Sequence, residues 1–225
     1  MQILQTNFHG DHNLGLFGKT SDKVCILGQF VPEKTVKQVE NLLKVSVVKT
    51  CIANTDFAGI LCSMNSNGLL LPEIVNEREL SRLNAIKKDF GLNIQVLETN
   101  FTALGNLVLC NDSGAVVSKE FTKKEKKKIE NCLGVCSEYA SVAGIATVGS
   151  CGVASNRGCL LHRDASEEEI KIIEDVLKVP VDIGTANFGS PFVGSSVITN
   201  SNGAVIGEST TGPEVTRIME ALGFL

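Results

Sequence analysis

The sequence predicts an α/β fold built as a closed ring of five like units, and three observations carry that expectation. Gly15, Gly59, Gly105, Gly149 and Gly194 stand 44, 46, 44 and 45 residues apart, so five units of about 45 fill the 225 residues. A period in this range marks a repeat architecture. Nine positions after these glycines come Val24, Gly68, Gly114, Gly158 and Gly203, four of them closing turn signatures such as Asn65-Ser66-Asn67-Gly68 and Asn111-Asp112-Ser113-Gly114. Third, the opening MQILQTNF has a near copy in QVLETNF at 95–101, which matches Leu4 with Leu97, Thr6 with Thr99, Asn7 with Asn100 and Phe8 with Phe101. Weaker copies end at Phe57 and Phe188. Every internal copy follows a helix-like segment. The first has none before it, while the last helix-like segment, Pro213 to Leu222, has no strand behind it. The N-terminal strand is therefore assigned to the last repeat. The chain is read as a single domain of five repeats starting at Gly15, Gly59, Gly105, Gly149 and Gly194, with residues 1–8 completing the fifth.

Each unit reads as two strands, a helix and a return strand. Gly18-Lys19-Thr20 carries the ending of a phosphate-binding loop, but that motif needs a glycine where Asn13 stands and a helix after the threonine. The threonine leads instead into the apolar run Val24 to Leu27, so the segment is assigned to a hairpin arm. The Asn/Asp-Gly clusters between apolar runs predict hairpin turns of the primed types, which need positive φ. The unit-one helix is expected from Pro32 to Lys44, with proline in the first turn where a missing N–H costs nothing. Asn76-x-x-Glu79, Thr122-x-x-Glu125, Ser166-x-x-Glu169 and Thr211-x-x-Glu214 have the form of capping boxes at the other four helix starts. Apolar residues then recur at helical spacing, as at Val36, Val39 and Leu43, on one stripe only. A unit this small cannot cover such a stripe alone, so strands pack inward and helices cover the outside.

Composition bounds the function. The net charge of −4 and pI near 5.5 argue against binding driven by phosphate neutralisation across the whole surface. No apolar run approaches a membrane span and no signal peptide is legible, so a cytoplasmic protein is expected. The eight cysteines lack zinc-ribbon spacing and several sit in strand-like runs, where a thiol packs as a small hydrophobe. His9 and His12 share a glycine-containing loop without a third ligand at a recognisable spacing, and His162 precedes Arg163-Asp164. Neither catalytic residues, nor a cofactor, nor a metal site is expected. The run Lys123-Lys124-Glu125-Lys126-Lys127-Lys128, with Lys119, is read as a solvated helix face or else as a phosphate-seeking patch.

The loops that join one unit to the next must emerge at one end of the ring. Together they offer Leu14, Leu16, Ile60, Gly105, Asn106, Ser150, Cys151, Phe192 and Ser195, a neutral or apolar set that either forms a protein interface or plugs the ring axis. Ala103-Leu104-Gly105-Asn106, Cys110-Asn111-Asp112, Asn67-Gly68-Leu69-Leu70-Leu71-Pro72 and Leu177-Lys178-Val179-Pro180-Val181 resemble the translation initiation factor 6 family in its archaeal form, and the similarity runs from Met1 to Leu225.

The resemblance implies a pentein, a five-bladed αβ ring with pseudo-fivefold symmetry. It implies a non-enzymatic, monomeric factor that binds the large ribosomal subunit near the sarcin–ricin loop. Binding would run mainly through a ribosomal protein, with limited direct contact to ribosomal RNA, and would keep the small subunit away; a part in large-subunit maturation is also implied. By the resemblance the nine residues form the ribosome-binding face: Asn106 is identical to the family residue, Ile60 stands where eukaryotic members carry arginine, Cys151 where they carry tyrosine, and Phe192 keeps an apolar character. The chain ends without the extended tail of eukaryotic members, so regulation through such a tail is not expected. The alternatives are a guanidine-modifying hydrolase of the same fold, disfavoured because the last repeat holds no cysteine or histidine, and a scaffolding ring.

Overall fold

The computed structural model describes residues 2–225; Met1, the first residue of the expected opening strand, lies outside them. Five three-stranded sheets stand around an axis. In unit one the inner strand Gly18–Thr20 pairs antiparallel with the central strand Val24–Gly28, which pairs parallel with the outer strand Ser46–Thr50. The order recurs as Ser63–Met64, Gly68–Pro72 and Asn93–Leu97, as Val108–Cys110, Ala115–Ser118 and Ser137–Ala140, and as Gly152–Ala154, Cys159–His162 and Val181–Gly184. In unit five, Val197–Asn200 and Gly203–Gly207 are completed by Ile3–Thr6 from the start of the chain, with Ile3 opposite Ala204 and Thr6 opposite Gly207. The inner strands touch in sequence around the axis, and the last touches the first. The fold is the five-bladed α/β ring that the repeats predicted, closed by the N-terminal strand.

There is no single core. Five apolar clusters lie between successive sheets, each sealed by one long helix. The central strands are therefore buried on both faces: Cys25 and Leu27 face one cluster, Val24 and Ile26 the next. This is why these strands read as unbroken apolar runs, since alternation appears only where one face is wet. The helices Glu33–Leu43, Glu77–Phe90, Lys123–Leu133, Glu167–Leu177 and Gly212–Ala221 turn their apolar stripes into the seams, for instance Val36, Val39 and Leu43 from the first. Capping boxes are complete at Asn76/Glu79, Thr122/Glu125 and Ser166/Glu169. At the fourth, Glu214 reaches back to the Thr211 N–H at 2.7 Å.

Two local expectations are corrected. The Asn/Asp-Gly hairpin turns hold none of the positive φ values described. Asn65 instead closes its turn through its side chain, accepting from the Asn67 and Gly68 N–H groups at 3.0 Å each, while its Nδ2 donates to the Leu133 carbonyl at the end of the neighbouring helix. Gly68 is required by close approach: a Cβ there would lie 2.1 Å from the Cys132 carbonyl oxygen. Positive φ values occur instead at the helix C-caps Lys44, Gly91, Gly134 and Lys178, and at the opposite end of the ring at His9, Ala53, Asn54, Ala143, Asn187 and Phe188, in the loops that leave the outer strands. The second correction is that each marker glycine sits in a short helical turn the sequence did not announce: Leu14–Leu16, Ala58–Leu61, Leu104–Leu107, Val148–Cys151 and Val193–Ser196.

Candidate functional site: the loop-bearing end of the ring

Outer and central strands run parallel, so every outer strand delivers its loop to the same end of the ring, from which a short helical turn leads to the next inner strand. The turns pack one on the next around the axis, and Val193–Ser196 packs on Leu14–Leu16 to close the circle. Glycine is what lets them meet. A Cβ on Gly105 would stand 2.0 Å from the Gly59 carbonyl oxygen, and the relation repeats around the ring until Gly15 meets Gly194 at 2.2 Å.

This arrangement sorts the nine residues expected on the face. The position after each marker glycine holds Leu16, Ile60, Asn106, Ser150 and Ser195, one from every unit. Four of them are half-buried, and Ser150, 8% exposed, donates its hydroxyl to the Thr147 carbonyl at 2.8 Å. Phe192 lies just before its turn and is 41% exposed. Gly105 is a buried spacer. Leu14 and Cys151 are corrections: both are fully buried, each in a cluster between sheets, because positions one before and two after the glycine point back toward the strands.

Sequence reasoning left out the most exposed groups. Phe188, 83% exposed, stands at a loop tip with φ +62°. Phe30, 66% exposed, is held between two loops: its N–H donates to Asp56 Oδ1 at 3.0 Å, and its carbonyl lies 2.9 Å from His9 Nε2. Phe57 rests on Phe17 with ring centroids 5.3 Å apart, and Phe192 stands edge-on to His162 at 5.7 Å. For Phe57 and Phe188 the aromatic that ends each strand copy was the available signal, while nothing in the repeat pattern marked Phe30; which rings stay outside is decided by the loop conformation.

Carboxylates fix that conformation. Glu214 accepts from the Phe188 and Gly189 N–H groups at 3.2 and 2.8 Å, and from the Thr185 hydroxyl at 2.8 Å. Glu169 does the same for Ala143 and Gly144, and Glu79 for Ala53 and Asn54. Burial pushes the Glu169 and Glu214 carboxyls up, but the converging donors outweigh it and hold both below the ordinary glutamate value. One residue type thus caps a helix and pins the neighbouring loop.

His12 Nδ1 is buried without a hydrogen-bond partner among the described residues, with Glu208 Oε1 3.6 Å away, and the buried His162 accepts the Asp164 N–H on Nδ1 at 3.1 Å. Among the described residues, no cluster of three or more His, Cys, Asp or Glu side chains converges on a point. All eight cysteines are free thiols, and Cys136 is the exposed one. Lys126 and Lys127 pair with Glu130 and Lys128 with Glu98, while Lys119, Lys123 and Lys124 stand exposed. No helix among the described residues is long and apolar enough to cross a membrane.

The sequence model of the eIF-6 family matches residues 3–221. Translation initiation factor 6 of Pyrococcus furiosus is 42% identical over 227 residues, and that of Pyrococcus abyssi 40% over 227, with both chains fully covered in each case. Translation initiation factor 6 of Methanocaldococcus jannaschii is 38% identical over 226 residues, covering 99% of each chain. With the family pattern running through all five blades and full-length relatives at this identity, the chain belongs to the eIF-6 family.

Proposed function

We propose that this protein is a translation initiation factor that acts without catalysis, as a cytoplasmic monomer that docks the loop-bearing end of its ring on the large ribosomal subunit and bars the small subunit by its bulk. The observation that carries the reading is the set of exposed aromatics, Phe30, Phe57, Phe188 and Phe192, held on loops that hydrogen bonds make rigid. Rigid aromatic anchors around a centre of small neutral groups are what a protein partner rewards, because little side-chain entropy is lost on docking. The acidic balance of the chain favours a ribosomal protein near the sarcin–ricin loop as the main contact, with a minor share for RNA. The lysines exposed on the Lys123–Leu133 helix are candidates for that share. The absence of cysteine and histidine from the fifth repeat favours this reading over a guanidine-modifying hydrolase.

Cosedimentation of the purified protein with isolated archaeal large and small subunits tests the proposal. Binding to large subunits alone is expected. The Asn106→Ala/Phe192→Ala double variant, whose side chains lie outside the sealed core, should bind at least about tenfold more weakly and keep its thermal midpoint. Absence of the protein from the large-subunit fraction at near-physiological salt would sink the reading.

A further inference from the structure

The long helices share an apolar stripe but not a charge. Glu167–Leu177, in the fourth blade, sets five acidic side chains against Lys171 alone. Lys123–Leu133 sets five lysines against Glu125 and Glu130, and the fold takes up both carboxylates: Glu125 accepts the Thr122 N–H at 2.7 Å and Glu130 the Ser137 N–H at 3.1 Å. Glu77–Phe90 adds Arg78, Arg82, Lys87 and Lys88, while its Glu79 is taken up by the Ala53 and Asn54 N–H groups. These two helices flank the outer strand of the second blade, whose Ile94 and Val96 pack beside Leu83 and whose Leu97 packs beside Ile129. In a chain of net charge −4, the free bases are thus gathered on one sector of the ring.

Both helices begin at the loop-bearing end, so Arg78, Lys123 and Lys124 stand in first turns at its rim, where the helix N-terminus adds partial positive charge. Arg78 and Arg82, one turn apart, line an open groove of about 630 Å³ with Asn54, Asn76 and Ser81; Glu77 is the acid there that no hydrogen bond takes up among the described residues. Arg78, Arg82, Lys123 and Lys124 are all exposed, and among the described residues none of them forms an ion pair. The sector ends at Lys119, which shares a groove with Asp164 and Glu168 of the fourth blade. Neither helix offers an apolar face to a bilayer, since Leu83, Ile129 and Leu133 are sealed in the seams and Leu80 and Ile86 pack against them. Guanidinium, ammonium and amide donors around an open trough match the phosphate oxygens of a nucleic-acid backbone.

We propose that the rim of the second blade, from Arg78 and Arg82 across to Lys123 and Lys124, is a docking surface for the phosphate backbone of RNA. It rests on the ribosomal reading and narrows it: the RNA share falls to this one sector, and the acidic fourth blade lies outside it. Fluorescence anisotropy of a dye-labelled RNA duplex, titrated with the full-length protein from about 20 to about 200 mM salt, tests the assignment. The wild-type protein should bind. The slope of log Kd against log salt should shrink by about 1.5 in Arg78→Gln/Arg82→Gln and by about 1.5 in Lys123→Gln/Lys124→Gln, the share of two phosphate contacts each. Lys34→Gln/Lys37→Gln, on the first blade, removes the same charge and should keep the wild-type slope. The proposal fails if the wild-type protein ignores RNA, if either rim variant keeps the wild-type slope, if the first-blade variant loses as much, or if phosphatidylserine vesicles are bound more tightly than the duplex. Cosedimentation beside it separates the two readings: a protein that binds RNA through this rim yet misses large subunits sinks the ribosomal reading and leaves the rim assigned.

Discussion

At the scale of single residues, two glycines that look alike in the sequence do opposite jobs. Gly105 has an ordinary backbone but no room: its missing Cβ is replaced by the Gly59 carbonyl oxygen, which belongs to a ring of turns that cannot move singly. Gly144 has open space around it but φ +71°. Alanine at 105 should therefore destabilise by at least about 2 kcal/mol, the cost of overpacking against backbone. Alanine at 144 should cost about 1 kcal/mol, the cost of a left-handed conformation for an L-residue. Urea unfolding of the two variants checks the order, and a reversal would mean that the axial packing yields more readily than its geometry implies. The same distinction governs the loop-bearing end of the ring. Asn106 and Cys151 are both near a marker glycine, yet one keeps exposed surface and the other is sealed in a cluster.

At the scale of elements, the loop that carries Phe188 is an extension of a helix N-terminus. Glu214 joins the two, and its folded-state carboxyl lies below the ordinary value of 4.5: burial opposes this, and donors from Thr211, Gly189 and Thr185 outweigh burial. A depressed carboxyl pKa contributes stability that is fully present above the unfolded-state value and is lost as pH falls through the folded-state value. Hydrogen exchange at the Phe188 and Gly189 amides should accordingly quicken, beyond the intrinsic rate, once the pH drops below about 4.5. In Glu214→Gln the amides should already exchange about 5–10-fold faster at neutral pH, for a loss near 1 kcal/mol of charge-assisted bonding, and the acid step should disappear. An acid step of undiminished size in Glu214→Gln would assign it to another group. The second blade lacks the positive-φ turn found after the other outer strands, so the loop after Asn93–Leu97 is the natural control.

At the scale of the whole molecule, closure depends on the N-terminal strand. Ile3–Thr6 gives the Gly203–Gly207 strand its parallel neighbour, with Gln2 and Thr6 carbonyls accepting from Ala204 and Glu208 at 2.8 Å each. Ile3 also joins the cluster that contains Phe224, so both ends of the chain meet in one seam. Deleting residues 1–7 should leave an apolar strand edge unpaired. We expect a thermal midpoint lower by more than about 10 °C, with self-association in size-exclusion chromatography. Appending residues 1–8 after Leu225 through a short Gly/Ser linker should restore a monomeric, cooperative ring. Calorimetry showing the truncated chain as stable as the intact one would contradict the role given to the first strand.

The number of blades, the helix starts and the strand donated by the N-terminus were all legible in the amino-acid sequence, because each rests on a local pattern written four or five times: glycine spacing, capping boxes, and a strand copy lacking a helix before it. The axial turns were not, since three or four residues span too little chain to display a period. Nor was the sorting of the loop-bearing end, in which Asn106 keeps exposed surface while Leu14 and Cys151 turn to the core. Those directions are set by the neighbouring blade pressing a backbone carbonyl against each glycine, a contact between residues about 45 positions apart in the chain that exists only once the ring has closed.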